Sequence, residues 1–401
     1  MNLRKNISKN YLFTFMASVS LTDAIWMLYL AHKGMSLVQI GLLESVFHVT
    51  GMMMEIPTGI IADRFGRKTS RVLGRILSLI STALMLAAED FWSFAIAFVC
   101  AALSYNLESG AGDALIYDTL VELEETPRFM KIKGLQEVFF QSARITSLVI
   151  GGWIATFNYE LGYMLSLAIN GLSILSALSF KEPQRNGQDT EGNLEHAGRL
   201  KGAAGLIQHI QASYRVIADN RQILNYVIYI ESFALFHTTL YFYSQNYMKD
   251  LGLSEAWIGI ILGVAALTSI LFSTNAHRFE KKFGRIKIMQ GATIATLCVL
   301  FGLAFLPYKP LFFVGMAAID GVLFVTFSDY INQLIPSEHR ATLLSFQAMI
   351  FSTMMIVFFP VFGLIAARFG FVIAFICVFA AAFPTMGYNY LILKGQMQRR
   401  Y

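Results

Sequence analysis

The sequence predicts an all-α membrane protein of twelve transmembrane helices, arranged as two six-helix, pseudo-symmetric halves. Three observations point there. Of 401 residues, 56% are hydrophobic and only 14% are charged, whereas about a quarter of a soluble domain is charged. The apolar residues gather into runs of about twenty or slightly more, the length needed to cross the hydrocarbon core. Short motifs of the first half also return, at fixed spacing, in the second.

Six spans are expected near 11–32, 37–62, 71–89, 91–119, 134–157 and 161–180, and six more near 221–248, 254–276, 286–306, 310–335, 340–367 and 370–393. The expected organisation is an N-terminal half over 1–180, a cytoplasmic linker over 181–220 and a C-terminal half over 221–401. Arg4, Lys5 and Lys9 precede the first run, which is long enough to span and is followed by no small-residue cleavage site. It therefore reads as an uncleaved helix and not as a signal peptide. In the linker, Glu182-Pro183 and Asn186-Gly187-Gln188-Asp189 are loop-forming. Beyond them, Leu200, Ile207, Ile210 and Ile217 recur at helical spacing among Arg199, Lys201 and Arg215, as in an amphipathic helix lying at the membrane surface.

Orientation follows from the cations. In this arrangement 26 of the 31 lysines and arginines lie on the side shared by both termini and the linker, and only Lys33, Lys249, Lys309 and Arg368 lie opposite. Both termini are therefore expected in the cytoplasm of a multi-pass protein of the cell membrane, the inner membrane if the source is bacterial. These cations sit in short loops, not along one face, so the net charge of +5 does not point to nucleic acid. Cys100, Cys298 and Cys377 lie far apart inside apolar runs with no metal-ligand spacing, and no phosphate-cradling G-x-x-x-x-G-K-S/T sequence occurs. Neither an enzymatic activity, a cofactor nor a metal is expected.

The repeat is specific. Gly34-Met35-Ser36 with Ile40-Gly41 returns as Gly252-Leu253-Ser254 with Ile258-Gly259, and Phe65-Gly66-Arg67 returns as Phe283-Gly284-Arg285, all 218 residues on. Asp118 precedes Gln136 by eighteen residues, and Asp329 precedes Gln347 by the same interval.

Ionisable groups inside a bilayer are costly, about 2.5–3.5 kcal/mol each even on the lenient insertion scale, so each needs a partner, water or a use. The first span carries Asp23, and the second carries Glu44, His48 and Glu55 along one face with Gly51. The fourth carries Glu108, Asp113 and Asp118. In the fifth, Glu137, Gln141 and Arg144 share a face. Arg144 is the one arginine expected at mid-membrane, with Asp23, Glu108 and Asp113 as its candidate partners. Glu44 lies toward the outer end of its span and is expected to reach the interface by snorkelling. In the second half, Glu231, Thr238 and Gln245 form a stripe on the seventh span, His237 adjoins it, and Asp320 sits near the middle of the tenth. Asp23, Glu108, Asp113, Arg144, Glu231, Asp320 and His48 are the candidate proton-coupling and substrate-binding residues.

Between the second and third spans lies Gly59-Ile60-Ile61-Ala62-Asp63-Arg64-Phe65-Gly66-Arg67-Lys68. A carboxylate at a helix C-terminus opposes the helix dipole, so Asp63 calls for a cation from Arg64, Arg67 or Arg71. The stretch closely resembles the signature loop of the major facilitator superfamily, G-x-x-x-D-R/K-x-G-R/K-R/K, at the position that loop occupies. The resemblance covers the whole chain. It implies a secondary transporter working by alternating access, with substrate near the midplane between the halves. It also implies a gating loop, Gly59, Asp63, Arg64, Gly66, Arg67 and Lys68, whose Asp and Arg engage Asp118. The second copy has Lys281 in place of Asp63 and Glu280 one position earlier, so its lock is expected to be weaker.

Twelve spans, the complete loop and several intramembrane carboxylates are most similar to the drug:proton antiporter branches. Those carry G-P-x-x-G-G on the fifth span, where this chain has Ser147-Leu148-Val149-Ile150-Gly151-Gly152, lacking the first glycine and the proline. The expected activity is proton-coupled efflux of a lipophilic, cationic or neutral small molecule. The alternatives are a proton-coupled importer of a nutrient or metabolite and a lipid or glycolipid transporter of the same fold. The expected partners are that small molecule, protons as coupling ion and the lipid bilayer, with the chain acting as a monomer.

Overall fold

In the computed structural model, the residues described are 3–183, 221–334 and 340–398, and they are helical throughout apart from short connections. The first part of the chain forms α1 (Lys5–Ser18), α2 (Trp26–His32), α3 (Leu37–Phe65), α4 (Arg67–Ala87), α5 (Phe91–Ser109), α6 (Ala111–Glu122), α7 (Phe129–Ala155) and α8 (Tyr159–Leu178). The second forms α9 (Arg221–Asp250), α10 (Glu255–Thr274), α11 (Ala276–Phe283), α12 (Arg285–Phe305), α13 (Lys309–Leu334), α14 (Arg340–Phe369) and α15 (Phe371–Gln398). Ten spans among the described residues are long and apolar enough to cross a membrane, with α5 and α6 counted as one. The helix α9, 30 residues long, falls outside that set because polar side chains interrupt it. The expected amphipathic helix of the linker lies outside the described residues.

Two expected helices are broken. The first span is not one helix over 11–32 but α1 and α2, with turn backbone through residues 19–25 between them. Ser18, Ser20, Thr22 and Asp23 crowd this stretch, and short polar side chains of this kind compete with the helix for its own backbone groups. The freed amide of Ser20 donates to Ser147 Oγ at 3.0 Å, which meets the requirement that backbone at membrane depth be satisfied by protein. The close approach also explains a glycine. A Cβ at Gly151 would lie 2.0 Å from the carbonyl oxygen of Leu21, so only glycine lets α7 reach the break. The fourth span is interrupted once, at Gly110.

The chain divides into two compact units, Met1–Trp26 with Leu43–His209, and Met27–Leu42 with Ile210–Tyr401. In the first, α4 packs on α5 and α8, and α1 packs on α6, α7 and α8. In the second, α12 packs on α13 and α15, and α9 packs on α13, α14 and α15. By order of span these are the same pairings made twice. Polar contacts repeat with them: Asn10 Nδ2 donates to Gln136 Oε1 at 3.0 Å in one unit, and Gln347 Nε2 donates to Glu231 Oε1 at 3.1 Å in the other. The two glutamines are those paired by sequence spacing. In the second unit, residues 27–42 pack against α9 and α14: Tyr243 Oη donates to Leu37 O at 3.1 Å, and a Cβ on Gly363 would fall 2.4 Å from that same oxygen.

Candidate coupling and gating sites

The backbone break places Asp23. The carboxylate accepts from Ser20, one turn of chain earlier, and Arg144 on α7 acts on it electrostatically. Asp23 therefore sits in unwound backbone within electrostatic reach of the arginine that the sequence assigned as its candidate partner. Half-helix ends and unwound backbone of this kind supply ion sites in secondary transporters.

Glu108 and Asp113 do not join that pair. Glu108 Oε1 takes both Arg71 Nε and Arg71 Nη2, each at 2.9 Å. The Arg71 guanidinium donates from Nη1 to Asn10 Oδ1 at 3.0 Å and stacks over Phe13 and Phe180, 4.0 and 4.8 Å from the ring centroids. It is 1% exposed. One turn on, the buried Arg75 donates to Ser173 Oγ at 2.9 Å and to Asn170 Oδ1. The sequence counted both among the cytoplasmic-side cations, at the start of the third span. They are interior cations in the first turns of α4, held by side chains of α1, α5 and α8 and by Phe180. The 3.6-residue periodicity Arg67, Arg71, Arg75 was the available signal. Among the described residues, the buried Oε2 of Glu108 accepts no hydrogen bond. Asp113 instead pairs with Lys133 on α7, and its side chain is 54% exposed, because it follows the interruption at Gly110 on the outer face of α6.

Glu44 does not snorkel. It is 9% exposed and lies 3.6 Å from His48 Nε2 one turn along α3. In the second unit, His237 on α9 is 3% exposed, its Nδ1 bound to Asp320 Oδ1 on α13 and its Nε2 3.1 Å from Thr296 Oγ1 on α12. Phe233 meets the imidazole edge-on. Glu231, two turns earlier on α9, is held separately by Gln347. Asp320 thus has a histidine partner that the sequence weighed only lightly, since a lone histidine in a span is commonly just hydrogen-bonded to a neighbour.

At the signature loop, α3 runs on to Phe65 and α4 starts at Arg67, with Gly66 between them at φ +96°, a backbone that favours glycine. Arg67 Nη1 lies 2.8 Å from Asp63 Oδ1, and its Nε lies 3.9 Å from Asp118 Oδ2 on α6. Arg64 stacks on Phe65, and Gly59 faces open space. The amides of Arg67 and Lys68 donate to the two oxygens of Glu182 at 2.6 and 2.7 Å. A carboxylate from beyond α8 thereby caps the N-terminus of α4, where both the free amides and the dipole favour an anion. Read as linker, Glu182 is a structural part of the loop.

The structure is thus an all-α membrane protein of two compact units with charged side chains among its helices. The family model described as Major Facilitator Superfamily matches residues 10–360, and the chain belongs to that superfamily. An uncharacterized MFS-type transporter YxaM of Bacillus subtilis (strain 168) is 24% identical over 365 residues, 90% of this chain and 89% of that one. Multidrug resistance protein 1 of the same organism is 24% identical over 65% of this chain and 63% of its own length. Among solved structures, the nucleoside transporter NupG superposes with a TM-score of 0.71 over 98% of this chain and 99% of that one, at 14% identity.

Proposed function

We propose that this chain exports a lipophilic, cationic or neutral small molecule in exchange for protons, with its termini in the cytoplasm. The observation that carries the reading is Asp23 in the unwound stretch between α1 and α2, within the electrostatic reach of Arg144. A carboxylate held by an arginine can lose that partner when the helices move, and it is then favoured to take up a proton. Glu108, with one oxygen on Arg71 and the other unpartnered, and the His237–Asp320 pair are further points where a proton can be held. Among the charged groups placed between the helices, Asp23, Glu44, Glu108, Glu231 and Asp320 outnumber Arg71, Arg75 and Arg144, which favours a cationic or neutral cargo over an anion. The resemblance to multidrug resistance protein 1 supports efflux. Asp63, Arg67, Asp118 and Glu182 act as the gate at the end of α3.

The test is proton flux in proteoliposomes of the purified protein, challenged with a panel of lipophilic cations under an imposed pH gradient. Substrate-dependent proton movement opposite to the substrate is expected. Movement in the same direction would make the chain a symporter and overturn efflux by exchange.

A further inference from the structure

The second copy of the loop has become something else. Where the first carries Asp63, the second carries Lys281, and its carboxylate, Glu280, is taken by Arg285. The segment is the eight-residue helix α11, with Phe279 and Phe283 one turn apart and Arg278, Lys281 and Lys282 on its other faces. Arg278, Lys281, Lys282 and Lys287 are all exposed and form no ion pair among the described residues. The gate's charge balance is gone, and a surplus of cations remains.

Beside them is a groove of about 320 Å³ lined by Phe272, Phe279, Phe283, Lys287, Ile288, Gly291 and Val322, contributed by α10, α11, α12 and α13. It is apolar except at Lys287. Phe272 and Phe279 stack with ring planes 3° apart and form one wall, and Phe283 at its mouth is 47% exposed. An aromatic-walled groove with exposed rings, rimmed by lysines that form no ion pair among the described residues, matches an amphiphile with an apolar tail and a negative head, provided the loop faces the cytoplasm as proposed above.

We infer that this groove binds an anionic phospholipid of the cytoplasmic leaflet, its acyl chain along Phe272, Phe279 and Gly291 and its phosphate on Lys287 and Lys281. Charge complementarity selects this occupant: cytoplasmic leaflets are negative, and juxtamembrane lysines are drawn to them. The short amphipathic helix α11 is suited to lie at that interface. The site is separate from the ion pairs proposed to carry protons.

Native mass spectrometry of the purified chain with phosphatidylglycerol, and in parallel with phosphatidylcholine, tests it. The wild-type protein is expected to prefer phosphatidylglycerol. Lys281→Gln with Lys287→Gln should lower that preference by about fivefold per cation removed, the worth of one basic side chain at an anionic surface. Lys5→Gln with Lys131→Gln, a charge-matched pair elsewhere on the cytoplasmic side, should leave it unchanged. A Cβ at Gly291 meets nothing within 4 Å, so a side chain there has room to start into the groove, and Gly291→Leu should reduce phosphatidylglycerol binding with all cations in place. Equal loss in the two charge variants, or wild-type binding by Gly291→Leu, would overturn the inference.

Discussion

Arg71 shows how far a residue's role can lie from its apparent place in the chain. It follows the signature loop closely and counts as a loop cation, yet Glu108, Asn10, Phe13 and Phe180 enclose it completely. Breaking a buried pair by removing one partner leaves an uncompensated charge and costs about 3–5 kcal/mol. Glu108→Leu should therefore lower thermal stability in detergent sharply. Arg71→Met with Glu108→Leu should recover much of that loss, because well-packed apolar side chains can replace a buried pair at little cost. Additive losses in the double variant would mean that the two residues act independently. Sequence reading found Glu108 as a buried acid and missed its partner, because the burial of a cation at the end of a span depends on the neighbours that pack over it.

At the scale of elements, apolar run length located the spans, since the bilayer fixes how long a helix must be. It did not reveal the break at residues 19–25, which depends on Ser147 and Gly151 of α7 closing over it. Alanine usually replaces glycine inside a helix with a gain of about 1 kcal/mol. Gly151→Ala should reverse that sign, with loss of folded protein on size-exclusion chromatography. Gly171→Ala, where a Cβ meets nothing, should be neutral or stabilising. The cap on α4 makes a second test. Glu182→Ala should cost about 0.5–2 kcal/mol, as lost N-caps do, and speed hydrogen exchange at the amides of Arg67 and Lys68 first; unchanged exchange there would rule the cap out. A nearby corner adds a pH dependence. Hydrogen bonds from Arg4 and Arg128 hold the Glu125 carboxyl below its usual range. Its contribution is present above the unfolded carboxylate pKa and is lost as pH falls through the lower folded value. Protease cleavage near residues 122–128 should thus rise only under acid conditions, below about pH 4.

For the molecule as a whole, the repeat, the cation bias and the signature loop made the superfamily legible from sequence, because each is a constraint on the entire chain. The partners inside the membrane were less so. Asp23 with Arg144 was foreseeable from their depth in the first and fifth spans, whereas Asp320 with His237 and Glu44 with His48 required the helices to be placed. If the loop is a gate and not a binding site, Asp63→Asn should slow turnover while leaving KM nearly unchanged; a large rise in KM would move Asp63 into the substrate site. The proposal that Asp23 carries the coupling proton is tested most directly by comparing wild-type and Asp23→Asn proteoliposomes in two assays, pH-driven substrate accumulation and substrate counterflow without a gradient. The account predicts that Asp23→Asn abolishes accumulation and keeps counterflow, because exchange needs the moving helices but not the proton. Accumulation at the wild-type rate in Asp23→Asn would contradict it.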